Sequence, residues 1–176
     1  MPYSRIRNTP QYKALVEEIQ KHDVISFDVF DTLIHRLVSK PRAVFSLIEA
    51  QLRDTPYVKD YPVLGVAFAV NRRQAERIAR AEREKEENDT EVTFDEIYSV
   101  LQEMLGLPQK VIEYIKILEL QMELKVLYAD PIMLEVFNYA RKQHKKIIIC
   151  SDMYLPKKHI SLLLAKCGYK LSGVEI

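Results

Sequence analysis

The chain has 176 residues, 26 Lys and Arg against 25 Asp and Glu, a formal net charge of +1, and 48% apolar residues. That apolar share suffices for the core of one domain, or of a modest domain with an inserted subdomain, and excludes disorder. The near-balance of charge, with no long basic tract, argues against a nucleic-acid partner.

Leu15, Val16 and Ile19 give Tyr12 to Gln20 a helical period, which leads into Val24 to Phe27, read as a buried strand. Ser39-Lys40-Pro41 is a helix start, and Ala43, Val44, Leu47, Ile48 and Leu52 form the apolar stripe of a helix reaching about Arg53. Asp54 to Pro62, with two prolines, reads as a loop. A single helix is expected from Gly65 to Glu87, with Arg72/Glu76 and Glu76/Arg80 as opposite charges along a solvated face. Thr93-Phe94-Asp95-Glu96 has the form of a capping box opening a helix to Leu105, where Gly106 stops it. The next helix starts after Pro108 and carries Val111, Ile115, Leu118, Met122 and Val126 on one face, broadened by Leu120, Leu124 and Leu127. Asp130-Pro131 opens a helix to about Gln143, which feeds a second strand, Lys146 to Cys150. Pro156 to Lys166 reads as a helix stopped by Gly168, and Gly173 to Ile176 as the start of a further strand.

Two cysteines, Cys150 and Cys167, do not make a disulfide framework and fit a reducing compartment. Met1 to Gln11 lacks the apolar centre of an export signal. The longest nearly apolar stretch, around Val63 to Val70, is under half of the roughly 20 residues a membrane span requires. A cytoplasmic protein with no membrane partner is expected.

Two short motifs carry the chemistry. Asp28-Val29-Phe30-Asp31-Thr32-Leu33 follows the first apolar strand, and Cys150-Ser151-Asp152-Met153 follows Ile147 to Ile149. In an open parallel sheet, ligands sit at the carboxyl ends of strands. Asp28, at such an end, can attack phosphorus and form an acyl phosphate, while the Ser151 hydroxyl donates to a phosphate oxygen. Thr32 can bond Asp28 or stabilise the turn, Asp31 caps the turn, and Asp152 holds the second loop. Taken singly, each motif also fits an ordinary turn or cap; the pair is what points to phosphate chemistry.

With these motifs in place the sequence resembles the haloacid dehalogenase superfamily, and more loosely the hydrolases of that superfamily found beside glycosyltransferases of bacterial surface polysaccharides. The resemblance implies an α/β fold: a Rossmann-like, three-layer core from residues 1–38 and 129–176, incomplete at its C-terminal side. An all-helical cap, residues 39–128, is inserted in it and closes over the site. It further implies Asp28 as nucleophile, Ser151 as phosphate binder with Thr32 and Asp152 in support, and Mg2+ on the Asp28 carboxylate and the Phe30 backbone carbonyl. The substrate class is a phosphorylated small molecule such as a sugar phosphate.

This chain departs from the family pattern at two places. Phe30 stands where phosphatases of the family carry an acid, and losing a general acid costs on the order of 10² to 10⁴ in rate. The family's later lysine and acidic motifs are missing; Lys157 and Lys158 read instead as exposed first-turn residues. Two oxygen ligands make a weak magnesium site, so this N-terminal part of a hydrolase is expected to turn over little. A non-catalytic binding module of the same fold and a haloacid-type dehalogenase, which shares an aromatic residue at the Phe30 position, are the alternatives. An incomplete parallel sheet has an open edge, so a homo-oligomer is expected, formed through Gly173 to Ile176 or the Val111 to Leu127 face.

Overall fold

The computed structural model describes residues 3–87 and 89–176. In chain order their elements are α1 (Tyr3–Ile6), α2 (Pro10–Gln20), β1 (Val24–Asp28), β2 (Ile34–Arg36), α3 (Ala43–Leu52), α4 (Tyr57–Asp60), α5 (Val63–Val66), α6 (Phe68–Glu87), α7 (Phe94–Leu105), α8 (Gln109–Val126), β3 (Leu127–Ala129), α9 (Pro131–Lys142), β4 (Lys146–Cys150) and α10 (Lys157–Lys166). The protein is mixed α/β, and among the described residues no helix is long and apolar enough to cross a membrane. Its elements form two compact units. One comprises the chain up to Leu37, Leu127–Asp152 and Lys157–Ile176; the other comprises Val38–Val126 and Met153–Pro156.

In the first unit β1 and β4 pair in parallel, Val24 opposite Lys146 through Asp28 opposite Cys150. Ile148 forms a parallel bridge with Glu175 on the far side of β4, where a further strand start was expected. The helical approach to β1 begins with Thr9, whose hydroxyl accepts the Tyr12 amide ahead of Pro10, satisfying one of the amides that a helix start leaves free. One sheet face is buried. Phe27, Ile147 and Ile149 lie there with Ile19 of α2 and Val136, Phe137 and Ala140 of α9, and the Phe27 and Phe137 rings are 5.6 Å apart. The other face is not: Val24 is 50% exposed, and Ser26, Asp28, Lys146 and Cys150 are exposed as well. The expectation of a strand buried throughout therefore holds for one face of β1 only, because strand side chains alternate and these helices cover a single side.

A second, antiparallel ladder joins β2 to β3, with Ile34 opposite Ala129, His35 opposite Tyr128 and Arg36 opposite Leu127. The sequence reading missed it and ran the preceding helix on to Leu127. Three-residue strands are too short to display a period of two, and here the partners are distant in sequence. Asp130 closes the ladder, its amide donating to the Leu33 carbonyl at 2.9 Å, and its carboxylate then caps α9 by accepting the Ile132 and Met133 amides.

The second unit is built from α3 to α8. The Thr93 capping box is present on both sides, Thr93 accepting the Glu96 amide and Glu96 accepting the Thr93 amide, and Gly106 ends α7 at φ 61°. Three readings need correction. Ser39 does not cap α3, which starts at Ala43 after Arg42 with no side-chain cap. The stretch Asp54 to Pro62 contains the helical turn α4. The helix expected from Gly65 to Glu87 breaks at Ala67, because the Glu49 carboxylate takes the Ala69 amide at 3.0 Å and Arg53 takes the Gly65 carbonyl at 2.7 Å. Side-chain partners thus replace the helical bonds that a continuous run would make.

Arg72 corrects the reading further. It does pair with Glu76 at 3.2 Å, yet it is fully buried, not solvated. Its Nε and one terminal nitrogen each reach Glu119 at 3.0 Å, and the rings of Phe45, Tyr98 and Tyr154 surround the guanidinium at 4.7, 5.3 and 4.9 Å. Tyr98 and Tyr154 both donate to Glu119, at 2.7 and 3.0 Å. Val111, Ile115, Leu118, Met122 and Val126 are buried too, so the apolar face of α8 proposed for self-association is already consumed within the chain.

Candidate functional site

The turn after β1 is tightly bonded. The Val29 carbonyl accepts the amides of both Leu33 and Ile34, and Asp31 donates its amide to the Ile34 carbonyl at 2.9 Å. Asp31 adopts φ 60°, a left-handed conformation that Asp tolerates better than most residues because its short side chain crowds the backbone little. Phe30 lies beneath the Arg36 guanidinium, 4.3 Å from the ring centre, an attraction between the cation and the electron-rich face of the ring. Tyr169 braces the same turn from below: buried, with its hydroxyl donating to the Leu33 carbonyl, its ionisation is pushed well up by loss of hydration.

Asp28 is the last residue of β1 and faces Cys150, the last of β4. Ser151 follows immediately, so the carboxylate-bearing and hydroxyl-bearing residues leave adjacent, co-directional strands at the same end of the sheet. Ser26, one exposed position before Asp28, places its hydroxyl 3.5 Å from the Cys150 sulfur. Thr32 joins Asp28 and Ser26 in lining a groove of about 320 Å3, whose apolar side comes from Ile19, Met133 and Val136. Ser151 and Asp152 do not line that groove. Asp152 is exposed, and Lys157 and Lys158 are exposed at the start of α10.

The groove follows the unpaired edge of β1. Since the Lys146 amide donates to the Asp23 carbonyl, alternation turns the backbone groups of Ile25 and Phe27 toward β4. Those of Val24, Ser26 and Asp28 point away from it. β4 is the single strand paired with β1 among the described residues.

Beside this turn stands a cluster that sequence reasoning did not find. His35 places Nε2 3.2 Å from one Asp130 oxygen and Nδ1 3.8 Å from Asp31. Asp130 was legible as a helix cap, but its second oxygen turns to His35 only because the β2–β3 ladder sets them side by side. The imidazole thus lies between two carboxylates, an arrangement that can orient a polar ligand group.

Asp28 and the Phe30 carbonyl are the expected magnesium ligands. Among the described residues no group of three or more His, Cys, Asp or Glu is gathered to hold an ion, and two oxygens fall short of the octahedral set that Mg2+ prefers. Cys150 and Cys167 are both free thiols, and burial pushes the Cys167 thiol up.

Comparison with known protein families finds no match, and no curated protein matches the chain.

Proposed function

We propose that this protein is a hydrolase of the haloacid dehalogenase type, with a Rossmann-like core and the helical unit as its inserted cap, acting on a phosphorylated small molecule such as a sugar phosphate. One observation carries the reading: Asp28 ends β1 and Ser151 directly follows the end of its parallel neighbour β4, with Asp28 in register with Cys150. In the proposed step an Asp28 carboxylate oxygen attacks phosphorus as the bond to the leaving oxygen breaks. The leaving group departs with the electron pair, and water later cleaves the acyl phosphate to return Asp28 and inorganic phosphate. Ser151 donates a hydrogen bond to a non-bridging phosphate oxygen, Thr32 holds the Asp28 turn, and Asp152 holds the second loop.

No acid stands two residues beyond Asp28, so the reading favours substrates whose leaving group departs unprotonated, and slow turnover with others. Acetyl phosphate supplies such a leaving group. Incubated with it, the protein should gain a hydroxylamine-labile phosphoryl mass on Asp28. Asp28→Asn should abolish this, and Ser151→Ala should slow it by about 10², the scale of one lost oxyanion donor. No labelling, or labelling unchanged in Asp28→Asn, sinks the proposal.

The second reading is a non-catalytic binding module, favoured by Phe30 lying under Arg36 and by a donor set too small for magnesium. It expects phosphate-ester binding with no acyl phosphate. A dehalogenase, attacking carbon from Asp28 and expelling halide, would release chloride from a 2-chloro acid. The open edge of β1 supports self-association as a further part of the proposal.

A further inference from the structure

We propose that the trough formed by the turn after α1, one face of α9 and the loop after α10 binds a small polyanion of the pyrophosphate class. Its volume is about 490 Å3, and its lining includes Arg7, Glu135, Asn138, Arg141, Lys142 and Lys170. That volume lies within the usual range of small-ligand pockets. Four cations therefore face a single carboxylate, in a chain whose overall charge is +1.

The lone carboxylate is already engaged. Glu135 is 6% exposed and takes Arg7 Nε at 2.7 Å, an interaction that holds the Arg7 guanidinium above its ordinary value, first through the hydrogen bond and then through the opposite charge. Arg141 spends one terminal nitrogen on the Ser172 carbonyl at 3.4 Å. Among the described residues, none of Arg141, Lys142 and Lys170 has a carboxylate at ion-pair distance.

A simpler account is that Arg141 and Lys142 merely offset the negative C-terminal end of α9. That end amounts to roughly half an elementary charge, less than either side chain alone. Lys170 lies on a different segment and Arg7 on a third. Glu135, Asn138, Arg141 and Lys142 recur at three- and four-residue spacing, so one helix face aims an amide and two cations into the same space. Guanidinium and ammonium donors together, beside a neutral amide, suit several phosphoryl oxygens better than one carboxylate.

The probe is inorganic pyrophosphate, titrated into the intact chain at low salt and followed by amide shifts of Asn138, Gly168 and Lys170. The expected result is saturable binding with Kd below about 1 mM, weakening as salt shortens the screening length toward about 8 Å. Lys142→Ala/Lys170→Ala removes two exposed cations without touching the Arg7–Glu135 pair. It should leave the melting temperature unchanged and weaken binding by about tenfold or more, while Lys170→Arg stays within about threefold. Asp28→Asn and Ser151→Ala should bind as the parent does, which separates this trough from the proposed hydrolytic site. No saturable shift at millimolar pyrophosphate overturns the proposal. So does binding that the double variant retains, or that Asp28→Asn abolishes.

Discussion

The buried Arg72–Glu119 pair offers the sharpest test of how the helical unit is held. Glu119 accepts four hydrogen bonds, two from Arg72 and one each from Tyr98 and Tyr154, so its carboxylate is saturated. Burial opposes the charge on Arg72, but Glu119 outweighs it and the guanidinium is held well above its ordinary value. Burial likewise pushes the Tyr98 and Tyr154 phenols well up, and they remain donors. Breaking such a pair from one side costs about 3–5 kcal/mol, and the Glu76 contact that Arg72 keeps at 3.2 Å puts Glu119→Gln near the lower end. At about 2–4 °C per kcal/mol for a chain of this size, Glu119→Gln should melt roughly 6–12 °C lower.

Arg72→Met should cost about 3–5 kcal/mol, because it leaves the buried Glu119 carboxylate without the cation that pairs with it. The double variant Arg72→Met/Glu119→Gln keeps an acceptor for the tyrosines and strands no charge. It should be more stable than the two single losses together imply, by about 2 kcal/mol or more. Since the chain has no tryptophan and ten tyrosines, urea unfolding is best followed by circular dichroism. Single losses under about 1 kcal/mol, or strict additivity, would refute the reasoning.

Thr93→Ala should cost about 1 kcal/mol by removing the capping box, read as a lower urea midpoint. The Thr93 amide and hydroxyl hold Glu96 below its ordinary carboxylate value, so that part of stability is present above the unfolded value and is lost as pH falls through the folded one; an acid titration with no difference between parent and Thr93→Ala would contradict it. Asp31→Gly should be tolerated within about 1 kcal/mol, whereas Asp31→Val, β-branched at φ 60°, should cost about 1–2 kcal/mol; thermal melts decide. The open edge of β1 should show as a concentration-dependent rise in mass by light scattering, diminished by Ser26→Pro, which removes an outward amide without touching the β4 ladder. A strict monomer at high concentration rejects self-association through that edge.

What was readable in the sequence was what local chemistry dictates. Thr93 with Glu96, Asp130 with Pro131, and Gly106 marked helix ends because caps act over three or four residues. The apolar runs before Asp28 and Ser151 marked strands, and both proved to be in parallel register. Long-range pairing was not readable. Nothing near Ile34 announces a partner at Ala129, so the hairpin and the His35–Asp130 contact it creates were missed. Arg72 misled because its spacing to Glu76 is the spacing of a solvated helix pair, while its burial depends on Glu119 and three aromatic rings from other segments. The break at Ala67 likewise depends on Glu49, twenty residues away.

The β2–β3 ladder gives the chain a modular character. Because Arg36 stands opposite Leu127, the polypeptide leaves the first unit and re-enters it at points one strand spacing apart, as it would across an ordinary hairpin turn. Closing a loop there grows more expensive only slowly with length, by about 0.6 kcal/mol per doubling. Inserts of different size, exchanged between Arg36 and Leu127, should therefore leave the β1–β4 register, with Asp28 opposite Cys150, unchanged.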